Sequence, residues 1–249
     1  MDESTYMQFL LNQSNNSQKP GINRYLKYLY SKIENSLVGK EIIEIGSGAG
    51  LSVKFIKKHK IILTDILSWP HGKIQGSIDA IKLPYADNSF DTLFSLDAIH
   101  HMEFPVKAIA EACRVVRPGG RVIIVEPYIS YFSFLIYKMF HNEQTTWNYK
   151  ISSDGSVTSS TASEGEQATL QSIFYDDKWI RCIKRLAKKE LKFQRSYFSP
   201  ISFFATGGLS NPLPVPAVLI SIIIRLEKLL PDRILYFISA RQMLIIEVH

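Results

Sequence analysis

Only two cysteines, Cys113 and Cys182, occur in 249 residues, and neither has a Cys-x-x-Cys partner or a histidine cluster beside it. That scarcity argues against a disulfide framework and a thiolate zinc site, and it suits buried thiols in a reducing cytoplasm. No apolar run is long enough to cross a bilayer: the longest, 217–224, is interrupted by Ser221 and closed by Arg225. The opening MDESTYMQFLLNQSNNSQKPG lacks the basic start and apolar stretch of a secretory signal. A cytoplasmic protein is expected, with this segment as a polar arm ahead of a helix at 23–37. Strong charge is missing too. The formal net charge is +6, and most of the excess gathers at 178–192. There Ile180, Ile183, Ala187 and Leu191 keep helical spacing, with Arg181, Lys184, Arg185, Lys188, Lys189 and Lys192 around the other side. The expected reading is a packed helix with one solvated face; a surface for phosphates or anionic lipid is the alternative. Aromatics do not interleave with these charges and no nucleic-acid module accompanies them, so no nucleic-acid partner is expected.

What is present is more specific. Residues 41–50 read Glu-Ile-Ile-Glu-Ile-Gly-Ser-Gly-Ala-Gly, a buried parallel strand followed by a turn in which Gly46, Gly48 and Gly50 let backbone approach a nucleotide-like ligand. A dinucleotide fingerprint puts its third glycine three residues after the second, and Leu51 stands there instead. A helix is expected at 51–59, then a second strand at 61–65 ending in Asp65. That acid lies nineteen residues after Gly46, near the roughly 20-residue offset at which a carboxylate meets a ribose. Two carboxylate oxygens match two vicinal hydroxyls. The plain alternative is that Asp65 only caps a strand end.

Glu44, two residues before Gly46, together with this glycine spacing closely resembles the first motif of the class I S-adenosylmethionine (SAM) methyltransferases. The stretch 76–127 is similar almost throughout to small-molecule methyltransferases of the ubiquinone/menaquinone-methylase type. Asp79-Ala80 precede Leu83-Pro84, then come Asn88-Ser89-Phe90-Asp91, a strand at 92–96, His100-His101, a helix, and Pro118-Gly119-Gly120 leading into a strand at 121–126. The resemblance spans 40–127 and implies an α/β, Rossmann-like seven-stranded sheet with helices on both faces. It implies SAM as cofactor, with Glu44 and the glycine turn at its aminoacyl end, Asp65 at the ribose, and Asp79 and Ala80 at the adenine. Ser47, Ile66 and Leu96 join the implied cofactor site.

On this plan 1–39 is the arm and helix, 40–127 the SAM-binding core, and 128–249 a variable cover plus the last helices and strands of the same domain. Strands are expected at 191–198 and 242–248, with a helix at 218–230. The loop 152–167 is polar, and reads either as a lid over the acceptor or as a surface insertion. Two apolar stretches, 128–140 and 212–230, are expected to be core helices and cover segments; a pocket wall, a dimer face or a peripheral membrane contact are the alternatives. The tail also resembles methyltransferases found with bacterial surface-polysaccharide biosynthesis, through Glu126–Ser130, Ser199-Pro200, Gly207-Gly208, Pro212–Val215 and Leu226–Pro231.

SAM carries its own activated methyl, so the protein must align an acceptor and exclude water. A hydroxyl acceptor also needs its proton removed, and His101 and His100, following the fourth strand, are the candidate catalytic residues, assisted by Glu126 or Asp97. Their alternative is a structural role at a strand-to-helix junction. A divalent metal held by Asp97, His100 and His101 is a remote option, and no metal is expected. The expected activity is methyl transfer to a small molecule, sugar or lipid-linked glycan at oxygen. An NAD- or nucleotide-sugar-binding Rossmann enzyme and a non-catalytic partner subunit are the rivals.

Overall fold

A computed structural model describes residues 3–67, 74–140, 147, 151–157 and 167–249. The chain begins with α1 (Glu3–Asn16) and α2 (Pro20–Glu34). A βα alternation follows: β1 (Ile42–Ile45), α3 (Ser52–Phe55), β2 (Ile61–Thr64), β3 (Ile74–Gln75), β4 (Phe90–Leu96), a 3₁₀ turn (Ile99–His101), α4 (Pro105–Val115) and β5 (Val116–Pro127). After α5 (Tyr131–Phe140) come α6 (Thr169–Ile173), α7 (Asp177–Ala187), β6 (Leu191–Phe198), α8 (Ser202–Thr206), α9 (Ala217–Glu227), α10 (Asp232–Ile238) and β7 (Arg241–Val248).

The described strands form one seven-stranded sheet in the order β3-β2-β1-β4-β5-β7-β6, with β7 antiparallel to both β5 and β6 and the other pairs parallel. The expected Rossmann-like fold is therefore present. Alternation along the strands divides the core. Ile43, Ile45, Leu93, Val122, Ile124 and Leu244 pack on one face against α4, α6 and α7, through residues such as Ile109, Leu170 and Ile183. Ile42, Phe94, Ile123, Val125 and Met243 pack on the other against α2 and α9, through Tyr25, Leu29, Ile33, Ile220 and Ile224. Helices on both faces explain why the central strands are buried on successive residues rather than every second one.

Several elements depart from the sequence expectations. The polar arm is a helix: α1 turns Leu10 into the protein and ties its end down through Asn16 Nδ2, which donates to the Leu209 carbonyl at 2.8 Å. The next helix starts and ends earlier than 23–37, with Pro20 opening it. The helix expected at 51–59 lasts one turn, because Ile56 leaves it with extended backbone (φ −92°, ψ 106°) and is buried in the core. Pro118-Gly119-Gly120 lies inside β5 rather than between helix and strand. Val116 already pairs with Phe90, and the ladder is irregular between Phe90 and Thr92.

The basic segment forms a packed helix only as far as Ala187, with Trp179, Ile183 and Ala187 buried; Lys188 turns left-handed (φ +54°) and ends it, so Leu191 and Lys192, read as part of the helical spacing, open β6 instead. Lys189, just beyond it, donates to the carbonyls of Cys113, Arg114 and Val116, so its ammonium sits at the negative end of α4. Cys113 is a buried free thiol, and burial pushes its pKa up to about 12. The two apolar stretches are not simply core. In α5, Tyr131, Leu135 and Met139 are exposed; in α9 and just after it, Val218, Leu219, Ile222, Leu226 and Leu229 are exposed as well. Most of the loop expected as a lid lies at 158–166, outside the described residues. Its start is docked: Val157 is buried and its N–H donates to the Glu103 carbonyl at 2.8 Å.

Candidate cofactor and active site

The strand order reverses between β1 and β4, which are neighbours although β2 and β3 intervene in sequence. Open α/β sheets bind ligands at the carboxyl ends of the strands beside such a reversal. The glycine turn, Asp65, Ile66, Asp79, Ala80, Leu96, the histidine pair and Glu126 all lie at that edge, at or just beyond the ends of β1, β2, β3, β4 and β5.

The glycine turn is held by β2. Ser47 N–H donates to the Thr64 carbonyl at 3.0 Å, Thr64 N–H returns to Ser47 Oγ at 3.1 Å, and Thr64 Oγ1 donates to the Glu44 carbonyl at 2.7 Å. Gly46 has φ +66°, and a Cβ there would stand 2.3 Å from Ala98 Cβ, so the turn can pass the β4 outlet only as glycine. Gly48 has φ +50° and space around it: an added Cβ would meet only Leu10 Cδ2, at 3.6 Å. Its N–H donates to Asp65 Oδ2 at 2.8 Å.

Asp65 is buried, and its other oxygen accepts from Leu67 N–H at 3.2 Å. Tyr6 of α1 lies near this carboxylate, and burial first, then Asp65, raises the Tyr6 pKa to about 12. Tyr6 and Leu10 thus bring α1 over the glycine turn, a contribution to the site that nothing in the Asn/Ser/Gln-rich arm announces. Glu44 is buried on β1 and accepts a hydrogen bond from Ser52 Oγ. Burial lifts its pKa from 4.5 to about 8; bonds from Ser52 and Ser47 oppose the rise and Asp65 adds to it. Ile66 and Asp79 are exposed and Ala80 half-buried, while Asp79 Oδ1 accepts the N–H of Ile81 at 3.0 Å.

At the β4 outlet, half-buried Leu96 precedes Asp97, which adopts left-handed backbone (φ +53°). Its carboxylate meets Arg241 Nη2 at 2.6 Å. Arg241 opens β7 and is buried, and its Nε has no hydrogen-bond partner among the described residues. Glu126, also buried, organises the 3₁₀ turn: Oε1 accepts the N–H groups of Ala98 (3.1 Å) and Ile99 (2.9 Å), and Oε2 lies 2.5 Å from His100 Nδ1.

Burial works against a charged His100, but the charge and hydrogen bond of Glu126, helped by Asp97, prevail and hold its pKa above the usual value. His101 stacks on it with ring centroids 4.0 Å apart. It is exposed yet hemmed in by protein, as a residue lining a concavity is, and burial together with the neighbouring His100 depresses its pKa to about 4.

Asp97, His100 and Glu126 bring ligand atoms within 4.8 Å of one another, whereas His101 is not of that group. The chemistry of this donor set does not suit a cation. Arg241 already places a guanidinium on Asp97, and both Glu126 oxygens are occupied.

The family model for a methyltransferase domain matches residues 43–124, the segment that carries this edge. By this match and by the relatives that follow, the chain is similar to SAM-dependent methyltransferases. A ubiquinone/menaquinone biosynthesis C-methyltransferase from Roseobacter denitrificans is 29% identical over 136 residues, 45% of this chain and 52% of that protein. A protein of the same description from Chromobacterium violaceum is 25% identical over 192 residues, 65% of this chain and 76% of the other. The chain spans about half the length of the first of these relatives. A SAM-dependent methyltransferase structure from Archaeoglobus fulgidus superimposes with a TM-score of 0.52 at 14% identity, covering 90% of this chain and 94% of that one, and it bears on the fold alone. SAM is the cofactor of such a domain, and the fit can be tested on this chain's own residues. Glu44 and Asp65 are acidic, both face the open glycine turn, and Gly48 leaves room there that a side chain would fill. These features suit a ligand bearing cationic and hydroxyl groups.

Proposed function

We propose that the protein transfers the methyl group of SAM to a hydroxyl oxygen of a small-molecule acceptor, a sugar or lipid-linked glycan, and that His100 with Glu126 removes the hydroxyl proton. The observation that carries this reading is the 2.5 Å contact between His100 Nδ1 and Glu126 Oε2 at the β4 outlet. With Nδ1–H donated to the carboxylate, Nε2 is left as the accepting nitrogen, and Glu126 stabilises the imidazolium once the proton arrives. His101, neutral at pH 7 and exposed, lines the mouth where an acceptor enters. This reverses the emphasis that sequence position placed on His101, because only His100 has a carboxylate behind it.

SAM supplies an electrophilic methyl on a sulfonium when bound. In this reading Glu44 and the glycine turn hold its aminoacyl end, Asp65 and Ile66 the ribose, Asp79 and Ala80 the adenine, with Ser47 and Leu96 against the cofactor. The unpartnered Arg241 Nε beside Asp97 supports an acceptor with oxygen atoms to offer. The tail motifs at Glu126–Ser130 and Leu226–Pro231 support a glycan. A second reading has its own support: two of the relatives, those named above, are described as C-methyltransferases, and a phenolic acceptor methylated at carbon would use the same base to become a phenolate.

Mass spectrometry of glycan precursors and of quinol precursors, each incubated with SAM and the protein, tests both. A one-methyl mass gain whose fragments place it on oxygen supports the first reading, and placement on ring carbon supports the second. A protein that binds SAM but methylates neither class refutes both acceptor assignments.

A further inference from the structure

The exposed side of α9 is built as a lipid-facing surface. Helix positions advance by about 100° per residue, so Val218, Leu219, Ile222 and Leu226 fall within an arc roughly 100° wide, and Leu229 follows in the turn just after the helix. All five are exposed, Val218 at 71%, Leu226 at 60% and Leu229 at 78%, while Ile220 and Ile224 on the opposite side pack against α2. Arg225 lies at one edge of the arc and is exposed, while Lys228, at the helix end, reaches over the Tyr28 ring of α2 at 5.1 Å. α10 exposes apolar rings of its own, Tyr236 and Phe237, and Phe237 meets Tyr131 of α5 with ring centroids 5.9 Å apart.

Charge selects the occupant. The exposed charges of α9, its C-terminal end and α10 are Arg225, Lys228 and Arg233 against the single acid Asp232; Glu227 is buried, accepting from Ser202. A second copy docking through the same face would set cation against cation. An apolar stripe edged by Arg225, on helices whose exposed charges are mostly basic, matches the boundary between acyl chains and anionic headgroups. The stripe inserts while the basic groups stay at headgroup level.

We propose that the exposed face of α9 docks the protein peripherally on an anionic lipid bilayer. Among the described residues no helix is long and apolar enough to cross a membrane, so this contact lies in the plane of the surface. The inference is independent of the acceptor assignment, since vesicle binding needs neither cofactor nor acceptor.

Co-sedimentation of the full chain with phosphatidylglycerol/phosphatidylcholine vesicles, against phosphatidylcholine alone, tests it. Wild type is expected to sediment with the anionic vesicles and weakly with the neutral ones. Leu226→Glu with Leu229→Glu should lower partitioning by about tenfold or more, and Val218→Asp should lower it alone. All three positions are exposed, so unchanged thermal unfolding checks the fold. Wild type remaining in the supernatant with both vesicle types overturns the proposal. So does binding that salt abolishes but the apolar substitutions leave intact, which would reduce the contact to surface charge. Light scattering that finds a dimer dissolved by the same substitutions would make the face a protein interface instead.

Discussion

Glu44→Gln separates electrostatics from packing at the centre of the cofactor site. In the ligand-free protein, burial raises the Glu44 pKa from 4.5 to about 8, so near neutrality the side chain holds its proton. An unfolded chain releases that proton near the ordinary value. Between these two pKa values the unfolded state binds fewer protons than the folded one, so folding stability must fall as pH rises. The gap corresponds to a total loss of roughly 5 kcal/mol, complete once pH exceeds the folded value. Glutamine has no proton to lose and keeps an oxygen to accept from Ser52. The variant should match wild type within about 1 kcal/mol at about pH 5. By about pH 8.5 it should be more stable by several kcal/mol, or roughly 10 °C in Tm. Thermal unfolding of both proteins without ligand, across this pH range, reads the difference. A cationic ligand group at Glu44 would also drive the proton off, so calorimetric SAM binding near neutrality should release protons into buffer, and the variant should not. Wild-type and variant stability curves that run parallel at all pH values would refute the reasoning, because Glu44 would then be ionised in the empty protein.

Asp65→Ala removes the acceptor of the Gly48 N–H as well as the proposed ribose partner, and should weaken SAM about 10- to 100-fold by calorimetry; unchanged affinity in a folded protein would overturn the ribose assignment. Tyr6→Phe should instead preserve or improve affinity, since it removes a hydroxyl competing for Asp65, and a large loss would show that Tyr6 itself contacts SAM. Gly48→Val forces a β-branched residue to φ +50° and fills the cofactor's space. It should abolish SAM binding at a stability cost of about 1–3 kcal/mol, and near-normal affinity would mean that SAM does not lie on this turn. His100→Ala should reduce turnover by about 10²–10⁴ without weakening SAM, and His101→Ala should do less. Wild-type activity should rise with pH through a value above the ordinary histidine pKa, as a base must lose its proton to act. A rise centred near 4 would transfer the role to His101.

The strand-and-turn framework was readable because it rests on local rules. The Ile42–Ile45 run, the glycines at alternate positions and the acid ending the next strand specify backbone that a bound nucleoside needs, and they fall where expected. Strand β6 occupies the residues its alternation indicated. The rest depends on contacts distant in sequence. Nothing near Tyr6 indicates that α1 folds over Asp65, since its polar composition is that of a solvated arm. Arg241 joins the site only because β7 brings it beside the β4 outlet. Hydrophobic content misleads in α5 and α9 for a related reason: a helix apolar on most sides does not reveal which side its neighbours cover.

The sheet order has a consequence for how the chain is made. Of the seven strands β7 is synthesised last, yet it stands between β5 and β6. Until β7 leaves the ribosome, β5 offers a bare edge of Val, Ile and Glu, β6 has no strand to pair with, and Asp97 lacks its guanidinium. The parallel half from β3 to β5 can assemble during synthesis, but the rim holding the base closes only afterwards. The nascent chain therefore passes through a stage with an open apolar strand edge, the species most in need of a chaperone.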